Sequence, residues 1–227
     1  MKRVTRNSNP FELTDKVVEK YLRLIVRQFR LLLRTLNVRK SGGTILAIDA
    51  INALEKITLC YDKIQELCWE AYRIIAKLLY KRANGDDEDF PLDMWLAEYM
   101  ANPDAVTHYV FNTELNNKRL RLFEAVVLAG KETSPSDAIK AATEKALKYM
   151  TKQFRQFGDD ITLEVLRQVY EDNDVLMVEW VTQKDERVCP ECRALDGLRF
   201  PLNDAPPPQH YNCRCFLIPV SAKKSEN

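Results

Sequence analysis

Glycine is in short supply, with 6 residues in a chain of 227. A β-sandwich or barrel uses glycine in its many turns, so that class is disfavoured. Histidine is scarcer still, at 2 residues, which leaves little material for an acid–base centre built on imidazole. Net charge is also nearly absent, at +1. A wholesale electrostatic grip on nucleic acid is therefore not indicated, which leaves a local basic face to consider. No run of about 18 apolar residues occurs, so no membrane span is expected. The segment MKRVTRNSNPFELTDK is basic but has no apolar core and no small-residue cleavage site, so no secretory signal is read there. The expected compartment is a reducing cytosol, where clustered cysteines bind metal or do redox work more often than they form disulfides.

Apolar and aromatic residues are plentiful enough for a real core. The expected fold is mainly α with a small C-terminal α+β metal-knuckle module, and long amphipathic helices fill the N-terminal two thirds. Asn9, Pro10 and Glu12 read as the start of a helix that runs to about Leu36. Its apolar stripe is Val18, Leu22, Ile25, Phe29, Leu32 and Leu36. Opposite runs a basic stripe, Lys16, Lys20, Arg23, Arg27, Arg30 and Arg34. That stripe reads as a solvated face or as a surface for phosphate or an acidic partner. Residues 39–43, RKSGG, break the pattern.

A second helix is expected from about Thr44 to Arg82, with Ala50, Leu54, Ile57, Tyr61, Ile64, Cys68, Ala71, Ile75 and Leu78 on one stripe. Such a helix is about 57 Å long and needs a partner, either the first helix or another subunit of a homo-oligomer. Cys60 and Cys68 read as core thiols. A short helix over residues 91–100 and a third long helix over 102–130 follow, with His108 structural and Glu114 four residues before Lys118. SPSD at 134–137 caps another helix ending near Gly158, and residues 159–174 form one more. After Asp174 the composition turns β-branched, and VLMVEWVT, LRFPL and CRCFLIPV read as strands. The expected regions are therefore 1–100, 101–174 and 175–227.

Four of the 6 cysteines and one histidine gather between Cys189 and Cys215. Cys189 and Cys192 form a C-x2-C knuckle, and His210, Cys213 and Cys215 return 17 residues later. Five donors of this softness suit zinc, which takes four in a structural site. Cys213 and Cys215 face one side of an extended strand, so four thiolates with His210 outside them form one set. A set using His210 with Cys213 or Cys215 is its rival. Disulfides and packed, metal-free thiols are the other readings. A full ligand shell leaves no position for water, which points to a structural ion.

The stretch VEWVTQKDERVCPECRALDGLRF…PPPQHYNCRCFLIP closely resembles the C-terminal signature of the phage Mu F-like head morphogenesis family. The matching residues are Trp180, Thr182, Asp185, Arg187, Cys189, Cys192, Leu195, Asp196, Gly197, Pro208, His210, Cys213, Arg214 and Cys215. Upstream, Glu114, Lys118, Arg121 and Glu124 are similar to a helical segment of the same family. The resemblance implies a minor head protein of a tailed double-stranded DNA phage, placed in the virion head and in the bacterial cytoplasm during assembly. It implies portal and major capsid or scaffold proteins as partners, with double-stranded DNA a further candidate, and no catalytic residues. Two other functions compete. One is a zinc-dependent hydrolase or nuclease using His210, Asp185 and Glu186. The other is a zinc-ribbon-like DNA binder using Arg187, Arg193, Arg199 and Arg214, whose charge neighbouring acids largely offset.

Overall fold

A computed structural model of the chain describes residues 5–6, 8–84, 94–95, 97–98, 114–183, 188–207, 210 and 213–222. It is mainly helical. The helices are α1 (Glu12–Thr35), α2 (Ala47–Asn84), α3 (Leu115–Leu128), α4 (Pro135–Asp172) and the short α5 (Pro190–Leu195). The strands are β1 (Lys40–Ser41), β2 (Thr44–Ile45), β3 (Val175–Val181), β4 (Arg199–Pro201) and β5 (Phe216–Ala222). His108, with most of the expected helix over 102–130, lies outside the described residues. The same holds for most of the expected helix over 91–100.

α1 begins where its capping residues predict, since Asn9 Oδ1 accepts the Phe11 N–H at 3.1 Å. RKSGG does more than interrupt. It folds into the β1–β2 hairpin, with Gly42 and Gly43 both at positive φ (59° and 80°) as a tight two-residue turn requires. α2 keeps the expected stripe only through its middle. Ile57, Tyr61, Ile64, Cys68, Ala71 and Ile75 are buried, whereas Leu54 and Leu78 at the two ends are exposed and Ala53 and Leu79 take the inner positions. A strict seven-residue repeat drifts by about 20° per heptad around a straight helix, so the ends rotate off the buried face.

The expected helix break at Gly158 does not occur, because α4 runs unbroken from Pro135 to Asp172. Gly158 serves close approach instead. A Cβ there would stand 2.7 Å from Val18 Cγ2 and 3.0 Å from Thr14 Cγ2. Beside it the Thr162 hydroxyl donates to the Gly158 carbonyl, at 2.8 Å, and hydrogen-bonds the hydroxyl of Thr14. The helix start is as read, with Ser134 Oγ donating to Asp137 at 2.7 Å.

The chain divides into two compact units. One takes the described residues of 19–71 and 93–154. Its core gathers Ile25 and Phe29 of α1, Ile57 and Ile64 of α2, Leu122 of α3 and Phe154 of α4, all buried. Phe29 meets Tyr61 edge-on at 6.0 Å. Asp49 accepts two side-chain bonds from Arg39, at 3.0 and 2.9 Å, and fixes the hairpin to the start of α2. Gly130 is required there, since a Cβ would lie 2.7 Å from the Ile45 nitrogen.

The other unit takes the described residues of 1–18, 72–92 and 155–227. Tyr72 and Phe157 pack at 90° with centroids 6.0 Å apart. Asp174, at φ 52°, turns the chain out of α4 into β3, a backbone conformation that Asp tolerates better than most residues. The antiparallel sheet has the order β4-β3-β5, with Val178 opposite Phe200 on one side and Pro219 on the other. Tyr170 on α4 donates to the Leu217 carbonyl at 2.8 Å, so the sheet is tied to the helix.

Candidate metal centre

Trp180 on the central strand is the floor of the cysteine cluster. With Cys192, Cys213 and Cys215 it forms a buried group, against which Val188, Cys189, Leu195, Phe200 and Leu217 pack. Cys189 caps α5, and its sulfur accepts the Cys192 N–H at 3.3 Å. The knuckle is thus the first turn of a helix and not a bare turn. Proline at its first position suits a helix start, where no amide donor is needed. Cys213 and Cys215 precede β5 directly. The expected strand over CRCFLIPV therefore starts only at Phe216, though Cys213 and Cys215 are both buried and Arg214 between them is half-buried.

The five predicted donors form two overlapping groups. Ligand atoms of Cys189, Cys192 and His210 lie within 4.8 Å of one another, and so do those of Cys192, Cys213 and Cys215. Cys192 belongs to both. The Cys192 and Cys213 sulfurs are 3.6 Å apart. Tetrahedral zinc with Zn–S bonds of about 2.3 Å has a sulfur–sulfur edge of about 3.8 Å, so this spacing fits an ion and is far too long for a disulfide. All six cysteines are free. Burial, with the neighbouring Cys189 and Cys213, pushes the Cys192 thiol up to about 12. Cys215 is pushed up first by its bond to Cys213 and then by burial. Such thiols keep their protons unless a cation takes their place, and a divalent ion inverts that balance.

Asp196 and Gly197 of the motif hold the backbone around it. The Asp196 carboxylate accepts the Thr182 N–H at 3.0 Å. Gly197, at φ 81°, donates its N–H to the Trp180 carbonyl at 2.9 Å, and the Leu198 carbonyl accepts the Trp180 N–H at 2.9 Å. Glu191 at the start of α5 is held below the usual carboxylate range by its own backbone N–H and by Cys189. Asp185, Glu186, Arg187 and Pro208 lie outside the described residues. Arg193 is exposed, but Arg199 lies 3.2 Å from Glu179, and Arg214 is engaged by Asp15 and Asp159. Two of the four arginines proposed to meet phosphate are therefore already paired.

The sequence reading missed this second layer of charge. Glu179 is buried on β3 and held below its usual range first by its bond to Arg6, at 2.7 Å, with Arg199 adding to it. Asp159 on α4 is buried, and that burial pushes its carboxyl up to about 7 despite Arg214 at 3.7 Å. Adjacent acids in an otherwise apolar helical stretch, Asp159 and Asp160, were the available signal. A cleft beside Cys215 is lined by Tyr170, Trp180, Pro206 and Phe216, and its charged lining residues are Glu164 and Arg167.

On α1 all six residues of the basic stripe are exposed. Lys16 pairs with Glu12 at 2.8 Å, and Lys20 lies 5.5 Å from the Tyr21 ring centroid. In the upstream segment of the resemblance, Lys118 lies 3.6 Å from Glu114 and 4.2 Å from the Tyr149 ring centroid, and Tyr149 donates to Glu114 at 2.9 Å. No helix of the described residues is long and apolar enough to cross a membrane.

No curated protein and no solved structure matches the chain. The upstream segment around Glu114 is not part of the family match. Residues 159–218, which hold the whole of the knuckle, match the family described as Phage Mu protein F like protein, and over that segment the resemblance to phage Mu F-like head morphogenesis proteins is shown.

Proposed function

We propose that the protein is a minor head component of a tailed double-stranded DNA phage, acting by contact and without catalysis, and that a structural zinc ion braces its C-terminal module. One observation carries the reading: the residues of the family signature are used to build a closed turn. Trp180 and Leu195 pack against the thiols, Asp196 holds Thr182, and Gly197 bonds back to Trp180. These described groups of the signature are engaged with one another, as a structural turn requires.

The ligands we assign are Cys189, Cys192, Cys213 and Cys215. His210 is exposed, and we assign it a place beside the shell, while the Cys189 sulfur is already oriented by the Cys192 N–H. When bound, zinc supplies a cross-link to a segment too small to hold itself by burial alone. Four sulfurs fill its shell, so no water is activated.

Portal and major capsid or scaffold proteins are the partners this reading assigns, with assembly of several copies a further contact, in the virion head and in the host cytoplasm as heads form. Exposed Ile48, Ile51 and Leu59, at helical spacing along one side of α2, support a role in contact. The test is metal content of the full chain, limited proteolysis with and without chelator, and co-purification with co-expressed portal protein. The expected results are one zinc per chain, cleavage within 175–222 only after chelation, and zinc-dependent capture by portal. Zinc-free protein that resists protease and binds portal equally well would sink the structural-metal part. Failure to bind portal, capsid or scaffold protein would sink the assembly part.

A further inference from the structure

Between Glu19 and Asp49 the chain carries seven Lys or Arg residues and no acid. The structure sorts them by what they touch. Arg39 is bound to Asp49, Lys40 donates to the Glu132 carbonyl and Lys20 lies over Tyr21. Arg23, Arg27, Arg30 and Arg34 remain. All four are exposed, and none has a carboxylate partner among the described residues.

Their spacing of four, three and four residues keeps the four arginines within about 60° around α1 and spreads them over about 16 Å of its length. The apolar face of the helix, Leu22, Ile25, Phe29 and Leu32, is on the opposite side and buried. Net charge is only +1, so this concentration of one sign is local to the stripe.

We infer that this arginine row is a binding surface for double-stranded DNA, reading its phosphate backbone without sequence preference. Two physical arguments favour a duplex over an acidic protein. Exposed ion pairs between proteins contribute about 0–1 kcal/mol each, so an all-charged row gives a protein partner little to hold. A duplex carries a condensed ion atmosphere, and each phosphate neutralised releases counterions, which makes the same exposed arginines effective. Guanidinium also matches phosphate geometry in a way that ammonium does not. No base-reading element accompanies the row, so backbone contact alone is expected. The inference rests on α1 and is independent of the zinc and head-assembly readings.

The test uses the full chain and a short labelled duplex of arbitrary sequence, followed by anisotropy across a salt series. Four phosphate contacts predict a log–log slope of about −3.6, or roughly a hundredfold fall in affinity between about 50 and 200 mM salt. The variant R23Q/R27Q/R30Q/R34Q is expected to keep its helicity and lose most of that slope. The variant R23K/R27K/R30K/R34K, which keeps the charge, is expected to retain it. An unchanged slope in the glutamine variant would overturn the inference, and so would equal loss in the lysine variant. Preferential binding of poly-glutamate, undisturbed by excess duplex, would overturn it in favour of an acidic protein.

Discussion

Arg214 stands between two of the clustered thiols, yet its Nη2 donates to Asp15 Oδ2 at 3.0 Å. Its guanidinium also lies 4.5 Å from the Phe11 ring centroid and 3.7 Å from Asp159. Phe11 packs with Val181 and Phe216, a different cluster from the one holding Cys213 and Cys215. The Cys-Arg-Cys run thus spans two clusters, with thiols in one and guanidinium in the other. At about pH 8, where Asp159 is ionised, R214A would leave its carboxylate buried without its 3.7 Å cation. The expected loss is about 2 kcal/mol, read as a lower midpoint in urea at fixed zinc. R214K would recover only part, because an ammonium cannot stack on Phe11 and serve two carboxylates in one fork. Equal midpoints for R214A and the wild type would refute this coupling.

The same carboxylate sets a pH dependence. Burial pushes Asp159 up to about 7 and Asp160 up to about 6, well above their unfolded range near 4. The folded state therefore holds more protons than the unfolded state between those values, so stability falls as pH rises through that window. This contribution should fall between about pH 4 and pH 7, and D160N, measured beside the wild type at equal zinc, should flatten part of that slope. A slope identical in D160N and wild type would show that Asp160 does not titrate in the folded state.

The knuckle was legible because its chemistry is rare: soft donors at fixed spacing have few other uses, and β-branched runs mark the strands beside them. The glycines were legible only in part. Gly158 looks like a helix stop in one dimension, and its true reason, contact with Val18 and Thr14, is separated from it by more than a hundred residues. Arg6 with Glu179 and Arg214 with Asp15 are equally long-range pairs that no local pattern encodes. On α2 the stripe was right where the helix is packed and wrong where drift carried Leu54 and Leu78 outward.

Gly158 gives a sharp test of that lesson. In an exposed helix interior, alanine is better than glycine by about 1 kcal/mol. At residue 158 the added methyl would meet Val18 Cγ2 at 2.7 Å, and overpacking of this kind costs about 1–3 kcal/mol. G158A is therefore expected to lower the melting temperature even though alanine is the better helix former. The companion change V18A should relieve the contact, so the double variant should recover more than the two single effects add up to. A G158A protein that melts higher than the wild type would mean the helices do not approach as described.

The cysteines separate by position into two kinds, and substitution should divide them cleanly. Cys60 lies on α2, and burial pushes its thiol up to about 12. C60A should cost about 1 kcal/mol or less through lost packing and leave zinc content unchanged. Cys192 belongs to both donor groups, so no alternative grouping rescues its loss. C192S should abolish stoichiometric zinc and expose residues 175–222 to protease as fully as chelation does. C189S and H210A decide the fourth ligand. With four thiolates the cysteine change releases zinc readily to a chromogenic chelator, and the histidine change leaves release near the wild-type rate. The reverse order would place His210 in the shell and Cys189 outside it.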